Sequence, residues 1–394
     1  MKVLFCRYNS VCERMLGHAL KILNIDTDEL FDENLSRNTE NNKEYLYQLS
    51  AKLNSFEYDF VISIDFLPII SKVCKIYHIP YIGHVVDCPC MPLYSKTLKN
   101  TCNYIFMFDY SQYEKFHPVN PGHIFYMPLG CDTEFLSQIS STKEDHENYD
   151  CDISFVGSFY THKCAYNYLP YVPDWVDGYV EGLISAQVNL YGYNLIEDSL
   201  TERFCKEFKK HAWNNFPSDY VEDIPGLIAD HYIGEKCTER ERFITLENIS
   251  NHFDMNIYTS PDDADVAALL PNLHNKGYAH TYSVMSKVFQ CSKINLNMTN
   301  RPIKTGIPQR IFDIMGVGGF VLTNYQAEIE QFFDIGKELV VYESQQDLLD
   351  KIAYYLSHEE ERLEIAANGK KAMSERHRYS ARLEDMFQMI KSSN

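Results

Sequence analysis

The residues best placed to do chemistry lie in one run, from Lys293 to Asn324. Pro308 marks the opening of a helix there, because proline suits a first helical turn whose N–H has no intrahelical partner. The loop ahead of it carries Thr305 and Gly306, while Arg310 falls on the first turn and Asp313 one turn later. A helix start presents amide donors and a partial positive charge, which suit a phosphate. Arg310 can add a bidentate clamp, and the Asp313 carboxylate can accept hydrogen bonds from two ribose hydroxyls. The plain alternative is an ordinary helix whose Arg and Asp pair at i, i+3. The residues alone do not choose between the two.

Three more acids, Asp65, Asp87 and Asp109, each follow a short apolar run that reads as a strand. Asp is also a common turn former, because its side chain bonds nearby backbone. Metal chemistry finds little support. The 12 Cys are dispersed without a CxxC pair, and His84 with Cys88 and Cys90 offers three ligands where a structural zinc needs four. Asp26-Thr-Asp28, Asp150-Cys-Asp152 and Asp263-Ala-Asp265 all match DxD, and three unrelated matches in an acidic chain show how little the pattern selects. No metal is expected. GxGxxG, GxxxxGK[ST], HExxH and GxSxG are missing, so dinucleotide, P-loop, zinc-protease and serine-hydrolase readings fall away.

The elements that must hold these residues alternate. Val3–Cys6, Phe60–Ile64, Pro80–Val86, Tyr104–Phe108 and 123–126 read as strands, with helical spacing through Met15–Leu23, Tyr45–Leu53 and Ile69–Tyr77. This predicts a parallel sheet covered on both faces, with ligands at the carboxyl ends of the strands. Residues 129–150 read as a polar linker. A second α/β unit opens at Ile153–Val156 and resumes at Met255–Tyr258, Ile294–Met298, Phe320–Leu322 and Leu339–Tyr342. Between them, about 165–240 reads as a helical insertion, where Val188–Tyr191 suits strand or helix equally. The segment beyond 375 reads as a last helix.

Composition fits a chain with real cores: 394 residues, 45% hydrophobic, 23% charged. The 29 Tyr suit flat, hydroxylated ligands, whose faces and edges a phenol ring can match. A net charge of −19 repels phosphate backbones and anionic headgroups, which disfavours nucleic acid and membrane surfaces. No window approaches a membrane span, and Met1–Cys6 is too short for a signal segment, so a cytoplasmic protein is expected.

The run from Lys293-Ile-Asn-Leu-Asn297 through Gly306…Arg310-Ile-Phe-Asp313 to Gly318-Gly319-Phe-Val-Leu-Thr323 resembles the group 1 glycosyltransferases, especially their spore-maturation-protein-like branch. Gly157-Ser158-Phe159-Tyr160 resembles that family's donor-facing loop. Val85-Val86-Asp87-Cys88-Pro89 and the tail Glu361-Arg362…His377-Arg378-Tyr379-Ser380…Arg382 also match. The resemblance implies a GT-B fold: an α/β protein of two Rossmann-like domains facing across a cleft. The first would span 1–140 and the second 151–374, with a helix at 375–394 crossing back to the first.

It further implies sugar transfer from a nucleotide-sugar, UDP-sugar favoured, without a metal. Donor binding would fall to Gly157, Ser158, Tyr160, Asn295, Asn297, Thr305, Gly306, Arg310, Asp313, Thr323 and Asn324. Arg310 would stabilise the departing diphosphate. Asp87, with His84 second, is the candidate base for an acceptor hydroxyl, and Arg7 and Asn9 lie on the acceptor side. Asp313 matches the second acid of the retaining families' E-x7-E pattern, but Thr305 stands where the first would be, which leaves retention or inversion open. The acceptor would be a glycan, protein or bacterial surface component, and the insertion could dock a protein partner. A nucleotide-sugar epimerase or phosphorylase, and a noncatalytic carbohydrate-binding or coat-associated protein, are the rival readings on the same frame.

Overall fold

The computed structural model describes residues 1–35, 42–212, 223–281 and 283–393. The chain divides into two compact units, one mainly from Met1–Asp132 with His377–Asn394, the other mainly from Thr133–Asn215 with Ile224–Arg376.

The first unit holds six strands: β1 (Lys2–Arg7), β2 (Asp26–Phe31), β3 (Phe60–Ile64), β4 (Tyr81–Val85), β5 (Asn103–Met107) and β6 (Ile124–Tyr126). They form one all-parallel sheet in the order β2-β1-β3-β4-β5-β6. The order reverses between β1 and β3, which makes their carboxyl ends the switch point. β2 has no apolar run to announce it because it is an edge strand, and only Leu30 of its six residues is buried. Its Asp28 bonds the Tyr58 hydroxyl at 2.6 Å and pairs with Lys2, so this DxD match is spoken for. One core cluster joins Val3, Phe5, Ile62, Ile64, Ile82 and Phe106 to Leu16 and Leu20 of the helix Glu13–Ile22. The C-terminal helix Tyr379–Ser393 completes it with Tyr379, Leu383, Met386, Phe387 and Ile390.

The second unit repeats the plan with β7 (Cys151–Val156), β8 (Met255–Tyr258), β9 (Leu273–Asn275), β10 (Ser292–Asn297), β11 (Val321–Asn324) and β12 (Val340–Tyr342). The order is β12-β11-β10-β7-β8-β9, again all parallel, with the switch point between β7 and β10. Ile153, Phe155, Ile257, Ile294, Leu296 and Leu322 fill the sheet's core.

Two sequence expectations change here. The stretch 129–150 is not plain linker: Lys143–Tyr149 is a helix whose Thr142 and Asp145 form a reciprocal capping box. Thr-x-x-Asp is the sequence signal for that start. Val188–Tyr191 is neither strand nor helix but the exit from the helix Asp174–Gln187. Among the described residues no helix is long and apolar enough to cross a membrane.

Candidate functional site

The helix Gln309–Val317 begins after Pro308, which sits at its N-cap with extended backbone. It ends at Gly318, whose φ of +86° closes the helix in the left-handed conformation that glycine adopts freely. A Cβ on the next residue, Gly319, would lie 2.8 Å from the Phe289 carbonyl and 2.9 Å from Asn295 Nδ2, so the helix can approach β10 only with glycine there.

The loop feeding this helix, from Thr299 to Gly306, is pinned from several directions. Thr299 N donates to Asn324 Oδ1 at 2.7 Å, and Arg301 N donates to Thr238 Oγ1 at 2.9 Å. The Arg301 side chain is buried and makes a fork–fork pair with buried Glu241, at 2.6 and 2.7 Å. Buried Gln326 donates to the Ile303 and Gly306 carbonyls. Asn194 Nδ2 bonds the Arg301 carbonyl, and Lys304 pairs with Glu197 and Asp230, so the helical insertion braces the same loop.

Within this frame Asp313 and Arg310 are both partly exposed. Arg310 lies 3.7 Å from Asp313 and over the Phe289 ring, while Gln309 Nε2 donates to the other Asp313 oxygen at 3.0 Å. The i, i+3 pairing is therefore present, and it leaves both groups in contact with solvent. The Thr305 hydroxyl donates to Glu328 Oε1 at 2.7 Å, and the Glu328 amide reaches the Thr305 carbonyl. A buried carboxylate thus sits beside the position where E-x7-E would place one. Counting along the sequence could not find it, because it arrives from 23 residues downstream.

At the other strand of the switch point, β7 runs into Gly157-Ser158-Phe159-Tyr160. Phe159 N and Thr259 Oγ1 both donate to buried Asp263, which fixes the loop and accounts for the acid of that DxD match. Tyr160 has φ of +73°, unusual for a residue with a side chain, and its amide donates to Ser158 Oγ. Such strain persists where the surroundings impose it and gathers at functional sites.

Several expected donor ligands are framework instead. Asn295 is buried, with its amide donating to the Phe289 and Phe320 carbonyls and its oxygen accepting from Ser154. Asn297 bonds Thr299 and Thr323, the latter hydroxyl giving its own proton to the Asn324 carbonyl. Asn324 is spent on Thr299 N and the Tyr325 carbonyl. These side chains tie strand ends together because polar groups carried inside a sheet edge need partners.

In the first unit, Asp65 closes β3 with φ of +53°. Its Oδ1 accepts from the Val86 and Asp87 amides at 2.9 and 3.1 Å, and its Oδ2 from the Tyr8 hydroxyl at 2.8 Å. Burial pushes its carboxyl up, against the pull of these donors and of a bond with the Asp87 side chain. Asp87 itself is exposed at the end of β4. His84, the second candidate base, is withdrawn from solvent: Nδ1 lies 2.7 Å from the Tyr379 hydroxyl, and burial pushes the imidazole down to about 3. Arg7 is committed to Glu13 at 3.2 Å and Glu29 at 2.6 Å, and Asn9 is exposed with φ of +71°.

Among the described residues one group brings three metal-type ligand atoms within 4.8 Å: His146, Asp150 and Cys291. His146 Nδ1 already bonds Asp150 at 2.7 Å, and burial pushes the Cys291 thiol up to about 11, opposing the thiolate a metal would need.

Two all-parallel sheets of six strands, each with its own switch point, give a GT-B fold. Comparison with known proteins agrees. Residues 240–388 match the model of the glycosyl transferase-like family. HepE from Anabaena, solved with UDP-glucose, superposes with a TM-score of 0.57 at 10% identity, each chain covered in full. Sucrose-phosphate synthase from Thermosynechococcus elongatus gives 0.58 at 9%, covering all of this chain and 98% of that one. A glycosyltransferase from Rickettsia africae gives 0.55 at 11%, with the same coverage. No curated protein matches by sequence.

Proposed function

We propose that this protein is a metal-independent glycosyltransferase of hexosyltransferase type, moving a sugar from a nucleotide-sugar, UDP-sugar favoured, to a hydroxyl of a glycan, protein or surface component in the cytoplasm. The observation that carries the reading is the braced loop before Gln309–Val317, which leaves Arg310 and Asp313 in contact with solvent, while β7, the strand paired with β10, runs into the strained Gly157–Tyr160 loop. The glycosyl transferase-like match over that segment and the fold shared with a UDP-glucose complex support it.

In this reading Asp313 accepts hydrogen bonds from the ribose hydroxyls. Arg310 and the loop at Gly306 stabilise the diphosphate as the bond from the anomeric carbon to the phosphate oxygen breaks. Asp87 takes the proton from the acceptor hydroxyl as its oxygen bonds the anomeric carbon. Glu328, through Thr305, holds the loop in place. A donor screen in EDTA with UDP-, GDP-, CDP- and TDP-sugars tests the proposal, with Asp313→Ala and Arg310→Ala as controls. Nucleoside diphosphate release from one donor, lost in both variants, is expected once an acceptor is present. Release or donor conversion without any acceptor would favour the epimerase or hydrolytic reading. A thermal shift with neither release nor conversion under any acceptor tried would favour a binding protein.

A further inference from the structure

Asp65 directs a buried carboxylate at a segment far ahead of it in the chain. It closes β3 in the left-handed conformation, with φ of +53°. An Asp in a turn ordinarily bonds its own backbone two residues on. This side chain instead reaches 21 and 22 residues ahead, where Oδ1 accepts from the Val86 and Asp87 amides at 2.9 and 3.1 Å. Its Oδ2 accepts from the Tyr8 hydroxyl at 2.8 Å, so one carboxylate joins the ends of β1, β3 and β4.

The backbone of Asp65 is held as firmly as its side chain. Its amide donates to the His84 carbonyl at 2.7 Å. Its own carbonyl lies 2.9 Å from Ser63 Oγ and 3.3 Å from the Tyr81 hydroxyl, both buried, and the Tyr81 oxygen accepts from the Leu67 amide at 2.9 Å. Gly83 lets β4 come this close, since a Cβ there would lie 3.2 Å from the Asp65 carbonyl. Buried Glu13 accepts from the Tyr8 and Asn9 amides and so fixes the loop that carries the phenol. Left-handed backbone on a residue with a side chain persists where the surroundings impose it, and it gathers at functional sites. The carboxylate ties converge on the Val86–Asp87 peptide, and the Asp87 side chain beyond it is exposed.

We propose that Asp65 is the positioning residue of the acceptor-side base, holding the Val86–Asp87 peptide so that the Asp87 carboxylate meets the acceptor hydroxyl in one orientation. The inference rests on the role given to Asp87 in the reading above. A base works only within hydrogen-bond reach of the proton it takes, so a displacement of about 1 Å costs turnover and leaves donor binding alone. A carboxylate that only closed β3 would stabilise the first unit and leave turnover to Asp87.

Steady-state kinetics of the full chain test this, with the donor that releases nucleoside diphosphate in the screen above and a panel of methyl glycosides as acceptors. Asp65→Gly deletes the carboxylate and keeps the left-handed backbone without strain. Asp65→Asn keeps an oxygen for the two amides and turns its own amide toward the Tyr8 hydroxyl. Asp65→Gly should lower kcat by about 10²-fold, the scale of a misplaced group, with the acceptor KM and the UDP affinity in calorimetry unchanged. Asp65→Asn should keep kcat near wild type. Combined with Asp87→Asn, Asp65→Gly should cost nothing further, because a residue that acts through Asp87 then has nothing to position. Asp65→Ser, too short to reach the two amides, takes its place should the glycine variant not fold. Losses that multiply in the double variant, an Asp65→Gly kcat equal to wild type, or an Asp65→Asn variant as slow as Asp65→Gly would each overturn the assignment. Full kcat in Asp87→Asn alone would remove the base and its positioning residue together while leaving nucleotide-sugar transfer standing. Wild-type protein that transfers from no donor would remove that reading and this inference with it.

Discussion

The two switch points are built alike and charged oppositely. In the first unit the ends of β1, β3 and β4 gather Tyr8, Asp65 and Asp87, where a buried acid accepts from two amides and a phenol while an exposed acid stands beside it. In the second, the ends of β7 and β10 are bridged by the Arg242 guanidinium, which donates to the Ser158 and Met298 carbonyls, and Arg310 lies on the helix Gln309–Val317. A parallel sheet supplies the location in both cases. The side chains set there differ: one edge gathers carboxyls and a phenol, the other guanidiniums. The fold alone would not distinguish them.

That division can be broken. The largest effect is expected from Asp87→Asn, which should lower kcat by about 10²- to 10⁴-fold, the usual worth of a general base. UDP affinity should stay unchanged if, as proposed, donor binding falls to the other edge. A parallel loss of UDP binding in calorimetry would show the two edges are not separate in role. Next comes Glu241→Ala, which strands Arg301 as a buried charge and should cost about 3–5 kcal/mol of stability. Urea unfolding measures it, and a cost near zero would mean the brace under the Thr299–Gly306 loop is dispensable.

A third test concerns His84. Its imidazole titrates at about 3 when folded and at its ordinary 6.5 when unfolded, so protons bind preferentially to the unfolded chain between those values. Stability is therefore intact above pH 6.5 and falls as pH drops toward 3, by about 1.4 kcal/mol per pH unit at most. His84→Gln should flatten that slope relative to wild type in urea unfolding series. The smallest effect is expected from Tyr8→Phe. Losing a donor to the charged form raises the Asp65 carboxyl further, so the acid limb of the kcat profile should move to higher pH, with a stability cost of about 1 kcal/mol. An unmoved limb would exclude Asp65 from the titrating group.

Most of the scaffold was legible because buried parallel strands are short apolar runs, and β1, β3, β4, β5, β7, β8, β10, β11 and β12 have that form. β2 and β9 escaped because edge strands carry polar residues outward: Asp26-Thr-Asp-Glu-Leu-Phe31 buries one side chain and Leu273-His-Asn275 none. Arg310 and Asp313 were visible because a proline announces the helix they ride on. Arg242 was not. It belongs to Glu239-Arg240-Glu241-Arg242, which reads as a solvated helical face, yet Glu241 and Arg242 are buried and one half of its charge pairing lies 60 residues away in Arg301. Asn295, Asn297 and Thr323 misled in the opposite direction. The family resemblance implied ligand contact for them, and the structure uses them to join β10 to its neighbours.

The C-terminal helix gives the chain an order of assembly. Tyr379, Leu383, Met386, Phe387 and Ile390 belong to the core that Val3 and Phe5 begin. During synthesis the first 132 residues emerge early but lack their last packing layer until the entire second unit has been translated. The middle of the chain can close its own core while the beginning still waits. A chain cut short within Tyr379–Ser393 would have a finished second sheet and a first with an open apolar face, a ready target for chaperones and proteases.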